Sequence, residues 1–540
     1  MIITPKEGSV VFSSRFVLDR SDRMVVNMKI ERTKNATRNI IYGSILKIYQ
    51  IAIPFVIRTA MLYLLGIEYL GLNGLFISIL QVLNLTELGV SGAMVYSMYK
   101  PISEDDEVTI CAMMKLYKIY YRIIGLIVLV LGLFLLPFIP KLISGEVPND
   151  INIYVLYLLN LGASVLSYWL FAYKNSIVQA HQRIDVVSKI SLITNTIQYG
   201  LQLYVLVFLR NYYFFLIIAL TTQALTNVVT ALIATKMYPS FKAIGKLEKH
   251  KVKEINQRVK ALFTSKIGTV ITQSVDTIVI SIFLGLTVLA IYSNYFYIMS
   301  SVMAFMTIIF NSCTAGVGNS IITETIDKNY NDLKKITFII SWLAGVFSCC
   351  LLCLYQPFME IWVGNQLMLD NLMVVMFCIY FYIYEVMSVM FLYKDAAGIW
   401  HKDRYRPIVT SFANLGMNLV MVQFMGIYGI VLSTILSFIL IGMPWLIHNL
   451  FTELFKRKPY EYLKIMFKYT IITIVACIIT YFCCSFINSS GLRCIIFRLI
   501  ICMIVPNLIF ITAYYNETEF KQTIVLAGKI TGGKVKLLKL

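Results

Sequence analysis

Apolar runs of about twenty residues, separated by short polar breaks, recur along almost the whole chain. A bilayer core needs about 20 apolar residues per helix, and fourteen runs meet that need. They lie near 39–65, 72–98, 120–140, 151–172, 188–209, 212–235, 261–285, 287–312, 335–357, 368–392, 407–424, 426–447, 464–487 and 491–515. The pattern therefore predicts an all-α polytopic membrane protein with about 14 transmembrane helices. The longest polar break, residues 236–260, falls after the sixth run and divides the first twelve helices six and six. The predicted organisation is a tail (1–38), an N-lobe (39–235), a basic inter-lobe loop (236–260), a C-lobe (261–447), two further helices (448–515) and a basic tail (516–540). Met28 is an alternative start, so residues 1–27 need not belong to the fold. A shift of 219 residues lays Leu65–Leu72 on Leu284–Ile291, with Lys47 on Lys266 and Gly66 on Gly285, a short internal match at the first span of each half.

Inside the spans, polar residues recur at helical spacing, which places each set on one helix face. The first span carries Lys47, Gln50, Pro54 and Arg58; the second, Asn84, Glu87 and Ser91; the fifth, Asn195, Gln198 and Gln202; the sixth, Gln223, Asn227 and Thr230. In the seventh, Lys266, Thr269, Gln273 and Asp276 share a face, the tenth adds Glu385, and the eleventh adds Asn414 and Asn418. Several polar faces in one bundle predict a hydrated central cavity. Ionisable groups in lipid are expensive and by default mark function. Each also has a structural reading: Lys47, Lys266 and Arg58 can snorkel, Glu87, Asp276 and Glu385 can bond a neighbouring helix, and the amides can glue helices together.

Charge then sets orientation. Of the 47 Lys and Arg, three lie in the loops an N-inside topology places outside (Lys141, Arg210, Arg493) and four within spans (Lys47, Arg58, Lys266, Arg498). All the others fall on the inside, so the termini are expected in the cytoplasm. The net charge of +19 is then topology signal and attraction to anionic lipid, and no nucleic-acid-binding pattern accompanies it. With 59% hydrophobic and 14% charged residues the chain lies far from soluble composition. The outside loops leave no room for a catalytic domain, which counts against an enzyme. The 11 cysteines read as free core residues, Cys350 and Cys353 included, and the four histidines are too scattered to ligate; no metal site or cofactor is expected.

The stretch RTAMLYLLGIEYLGLNGLFISILQVLNLTELGVSGAMVYSMYKPI, with VDTIVISIFLGLTVLAIYSNY opening the second half and NLGMNLVMVQFMGIYGIVLSTI later, resembles the bacterial polysaccharide flippases. These are Wzx-type members of the multidrug/oligosaccharidyl-lipid/polysaccharide (MOP) exporter superfamily. The resemblance implies two MATE-like six-helix lobes plus two helices that form a groove for a lipid tail. It implies an undecaprenyl-diphosphate-linked oligosaccharide repeat unit as substrate, moved by alternating access across the bacterial cytoplasmic membrane. It also implies a monomer associating with a polysaccharide polymerase and glycosyltransferases. On this reading Arg58, Lys47 and Lys266 meet the diphosphate, and Asn195, Gln198, Gln202, Gln223 and Gln273 meet sugar hydroxyls. Glu87, Asp276 and Glu385 bind a coupling Na⁺ or H⁺ or pair with the cavity cations. Two readings compete: a cation-coupled MATE-type multidrug exporter and a peptidoglycan lipid-intermediate flippase.

Overall fold

The computed structural model describes residues 32–530 except 88, 146 and 488. The first half comprises α1 (Arg32–Leu64), α2 (Ile67–Leu83), α3 (Val90–Ser103), α4 (Glu107–Leu135), α5 (Ile153–Trp169), α6 (Asn175–Ala180), α7 (Ile184–Tyr204) and α8 (Tyr212–Met237). The second comprises α9 (Lys249–Phe283), α10 (Gly285–Thr323), α11 (Ile326–Val363), α12 (Asn371–Ala396), α13 (Trp400–Asp403), α14 (Arg406–Met425), α15 (Ile427–Ser437) and α16 (Met443–Glu453). Then come α17 (Tyr460–Ser485), α18 (Gly491–Tyr514) and α19 (Thr518–Ile530). No strand occurs among the described residues.

By length and composition twelve of the helical stretches can cross a membrane, and a thirteenth is formed if α5 and the turn leading into α6 are one span bent by 46°. The remaining expected span, 72–98, is broken. α2 ends at Leu83, Asn84–Glu87 form a 3₁₀ turn, and α3 starts at Val90 after Gly89. Gly89 stands at φ 88, where a side chain is strained, and a Cβ there would lie 2.7 Å from the Leu262 Cβ of α9. The chain thus trades helix continuity for close approach of α9. Asn84, Glu87 and Ser91 consequently do not share one continuous helix face.

Two expected tails are in part helical. Residues 249–260 of the inter-lobe segment open α9, where Glu248 meets Lys251 and Glu254 meets Arg258 one turn away. Beyond residue 516, α19 packs on α11, with the Phe520 ring stacked on Trp342 at 5.8 Å. Side chains cap several helix starts: Asp106 accepts from Thr109 N–H, Asn211 from Phe214 N–H and Asp370 from Met373 N–H.

The packing separates the halves and then joins them. α1, α7 and α8 pack together in the first half, α11 and α12 in the second, and α17 and α18 dock on α11. α2 lies against α9 and α10, so it is the first half's main contact with the second. At that crossing a Cβ on Gly71 would sit 2.4 Å from the Leu286 carbonyl oxygen, so only glycine permits it. Gly66 (φ 127) and Gly285 (φ 87) occupy the same corner of each half, between the first long helix and the second.

Candidate functional site: a cationic cavity between the halves

A cavity of about 1010 Å³ lies between α1 and α2 on one side and α9, α10, α12 and α14 on the other. Five cationic side chains line it: Lys47, Arg58, Lys266, Lys394 and Arg406. One carboxylate, Asp395, faces them.

The five are not equivalent. Arg406 donates from Nε and Nη2 to the two oxygens of Asp403 at 2.7 and 2.8 Å, a bidentate pair buried on both sides. Lys394 meets Asp395 at 2.8 Å and Asp403 at 3.8 Å, and Asn449 also donates to Asp403. Two carboxylates therefore balance these two cations. Among the described residues no carboxylate lies within ion-pair distance of Lys47, Arg58 or Lys266, so the cavity wall carries three uncompensated positive charges.

Arg58 is the most constrained of the three. Its Nη2 donates to Asn294 Oδ1 on α10 at 2.8 Å, and the guanidinium lies over the Tyr297 ring, 5.2 Å from its centre. Arg58 Nε and Asn294 Nδ2 are buried donors with no partner among the described residues. An unspent buried donor costs about 1–3 kcal/mol, so this corner favours an incoming acceptor. Lys47 precedes Arg58 by eleven residues on α1, about 16 Å along a helix, and Lys47, Lys266 and Lys394 all line the cavity. Ser78 and Gln81 of α2, Thr272 and Thr277 of α9, and Ser293 and Ser300 of α10 add polar lining. Tyr292, Phe296, Tyr380 and Phe438 form a run of stacked or tilted rings along one wall.

The halves are linked at both ends of this cavity. Near Arg58, Trp362 Nε1 donates to Thr59 Oγ1 (2.7 Å), and Ser144 N–H donates to the Ser281 carbonyl (2.9 Å). Elsewhere α9 reaches α3 and α4, where Arg258 donates to Ser97 Oγ (2.9 Å) and Tyr120 to Asn256 Oδ1 (2.6 Å).

The amides expected to meet substrate are placed differently. Gln202 is buried and donates to the Phe215 carbonyl of α8, and Gln198 bonds Gln202. Neither they nor Asn195 and Gln223 line the cavity. Helical spacing identifies a shared face but not what the face meets, and here Gln202 spends its amide on α8. Gln273 lies on α9 with its side chain outside the described residues.

The three acids also lie off the cavity. Glu87, at the break between α2 and α3, accepts from the Tyr121 hydroxyl of α4 at 2.6 Å, and Tyr117 donates to Tyr121. Glu385 is 1% exposed, and among the described residues no donor reaches its Oε2. Asp276 anchors a buried oxygen-rich cluster on α9, α14 and α15. Asn418 Nδ2 donates to its Oδ1 (2.7 Å) and Thr434 Oγ1 to its Oδ2 (3.0 Å). Asn414 donates to Thr434, and Ser433 to Asn418 Oδ1. No cation pairs with Asp276 among the described residues, so the expected pairing of these acids with cavity cations does not occur. Lys394 and Arg406 were missed by span-based reasoning because they fall in a polar connection, where charge is ordinary.

Beside the cavity and sharing Tyr297 with it lies an apolar groove of about 540 Å³. Ile51 and Phe55 of α1, Ile298 and Val302 of α10, Leu351 and Phe358 of α11 and Ile495 of α18 are among its walls. The last two membrane helices were expected to form such a groove; α18 supplies one residue, and α1, α10 and α11 supply most of it.

No family model matches the chain, and no curated protein matches it. Solved structures do. Lipid II flippase MurJ, in an inward closed conformation, aligns at TM-score 0.63 and 15% identity over 88% of this chain and 99% of that one. A multidrug resistance MATE family transporter of the MOP superfamily, inward-facing, aligns at 0.57 and 13% over 75% and 97%. The Vibrio cholerae MATE transporter VcmN aligns at 0.53 and 13% over 79% and 99%. At such identities the likeness is one of fold: the chain has the architecture of the MOP superfamily transporters.

Proposed function

We propose that this protein is a flippase that carries undecaprenyl-diphosphate-linked oligosaccharide repeat units from the cytoplasmic to the outer leaflet of a bacterial cytoplasmic membrane. The observation that carries the reading is the cavity's charge: among the described residues Arg58, Lys47 and Lys266 have no carboxylate partner, and Arg58 keeps a buried donor unspent. A diphosphate diester brings two negative charges and many acceptor oxygens, and a guanidinium can meet it bidentately. Tyrosine and serine hydroxyls of α10 and the aromatic wall then face the sugars, the role first expected of the α7 and α8 amides. The apolar groove beside Tyr297 takes the start of the lipid tail, whose remainder stays in the bilayer. The termini lie in the cytoplasm, the placement that the distribution of Lys and Arg favours.

The halves rock to alternate access, opening the contacts near Arg58 in one state and those of α9 with α3 and α4 in the other; both sets are made in this structure. Asp276, with Asn414, Asn418, Ser433 and Thr434, is the coupling-ion site. Once the Asn418 amide turns its Oδ1 rather than its Nδ2 to Asp276, the set offers oxygens alone, which suits a hard cation, and Na⁺ is the ion proposed. Glu87 and Glu385 have a structural role instead. Partner enzymes that polymerise and assemble the glycan would work next to it.

Arg58→Ala, at equal expression, should abolish headgroup translocation in vesicles, and Arg58→Lys should restore only part of it. Wild-type translocation by Arg58→Ala would remove the proposed role. A peptidoglycan lipid-intermediate flippase is the second reading, favoured by the likeness in fold to a lipid II flippase. It shares the diphosphate and differs in headgroup, so translocation of each lipid by the purified protein decides between them. A drug-cation exporter calls for cavity acids, whereas among the described residues the one lining carboxylate, Asp395, is paired with Lys394.

A further inference from the structure

Six of the eleven cysteines gather where α17 and α18 dock on α11: Cys349, Cys350, Cys353, Cys477, Cys484 and Cys502. At their centre the sulfurs of Cys353, Cys484 and Cys502, one from each helix, lie within 4.8 Å of one another, and all three residues are buried. The sequence hides this convergence, because the three are separated by more than a hundred residues in one case and lie in different apolar runs. The CxxC of Cys350 and Cys353 is the visible part of it.

A second observation concerns charge. Arg498 of α18 lies within the span and donates from Nη1 to the Cys353 carbonyl at 3.2 Å, while its buried Nε has no partner among the described residues. Among the described residues no carboxylate pairs with it. A cation inside a span needs an anion or an exit to water, and the ionisable groups beside this one are thiols.

We propose that Cys353, Cys484 and Cys502 form a three-sulfur site for a soft d¹⁰ monovalent cation, Cu(I), that clips α17 and α18 to α11. Three sulfurs at a metal–sulfur distance of about 2.3 Å in a plane stand about 4 Å apart, which small χ1 adjustments reach from the arrangement seen. Soft thiolates select Cu(I) among the common ions. Zinc calls for a fourth ligand in tetrahedral array; Cys350, the further thiol beside the three, is not among the sulfurs that lie within 4.8 Å of one another, so the set offers three. On binding, Cu⁺ displaces the protons of two thiols to solvent and the third cysteine coordinates as a thiol. The complex then carries one negative charge, which the Arg498 guanidinium offsets. Cys350 belongs both to this cluster and to the wall of the apolar groove, and Ile495 of α18 lines the same wall. A metal clip would therefore fix the groove's width.

The test uses the purified, reduced full-length protein in detergent, titrated with Cu(I) against a chromophoric chelator and, in parallel, with Zn²⁺. The site predicts one Cu(I) per chain, a rise in melting temperature on binding, and no stoichiometric Zn²⁺ uptake. Cys484→Ser and Cys502→Ser should each lose both the stoichiometric uptake and the copper-dependent rise, with monodispersity and the metal-free melt reporting that the variants fold. Cys111→Ser, in α4, should keep both. Arg498→Gln should weaken affinity on the order of 10–100-fold, as loss of an outer-shell partner does. Uptake unchanged in the serine variants, preference for Zn²⁺, or a Cys353–Cys484 disulfide whose reduction brings no copper binding would each overturn the proposal.

Discussion

Arg58 Nη2 donates to Asn294 Oδ1 across 2.8 Å, joining the first helix of one half to the second helix of the other. Both partners keep a buried donor free, so the bond holds the halves together without using up the site's capacity to bind. A hydrogen bond to a charged group contributes about 1.5–3 kcal/mol. Asn294→Ala should therefore shift the balance between closed and open at this end about ten- to hundredfold toward open. Spin-label distances between the nearby ends of α1 and α11 measure it. An unchanged distribution would mean that the neighbouring Thr59–Trp362 contact alone holds this end.

Gly71 and Leu286 set the approach of α2 to α10. A Cβ on Gly71 would lie 2.4 Å from a backbone carbonyl oxygen, which cannot rotate away. Gly71→Ala should lower stability by about 1–3 kcal/mol, the usual cost of overpacking, seen as a lower melting temperature in detergent. Gly162→Ala, where a Cβ meets nothing within 4 Å, is the matched control and should melt like the wild type or slightly higher.

Much of this architecture was legible in the apolar pattern, and the exceptions have physical causes. The break after α2 is written as Asn84, Glu87 and Gly89 within an otherwise apolar run, but a hydropathy window averages such residues away. What stops the helix is the approach of Leu262, a contact from a different half. Arg58, Lys47 and Lys266 stood out because lipid makes a charge conspicuous, whereas Lys394 and Arg406 sat in a connection where charge is unremarkable. The glutamine faces on α7 misdirected because an amide that bonds a neighbouring helix has the same periodicity as one that faces water. The cysteine cluster is a tertiary fact, assembled from three helices.

Asp403 accepts from two guanidinium nitrogens of Arg406 and from the amide of Asn449 in a buried setting. Removing one partner of such a pair leaves an uncompensated charge and costs about 3–5 kcal/mol, whereas removing both costs far less. Asp403→Asn should therefore melt well below the wild type, and Asp403→Asn combined with Arg406→Gln should recover part of the loss. If the double variant is as unstable as the sum of the singles, the two residues act independently and the pairing is not what holds α13 and α14 to the cavity wall.

Asp276 gives the sharpest test of coupling, because its surroundings supply oxygens and hydrogen-bond donors but no cation among the described residues. A ligand that binds only the folded protein stabilises it by RT ln(1 + [L]/Kd), about 2.7 kcal/mol at a hundredfold excess over Kd. Raising Na⁺ at constant ionic strength, with choline as the replacement, should therefore raise the melting temperature of the wild type. Asp276→Asn removes the charge while keeping the shape, and it should abolish the Na⁺ dependence without abolishing the fold. Glu385→Gln and Glu87→Gln, which alter carboxyls outside the cluster, should leave it intact. Were the Na⁺ response to survive Asp276→Asn, the coupling ion would have to bind elsewhere. Were the wild type indifferent to Na⁺ yet stabilised by protons through Asp276, the site would be a proton carrier.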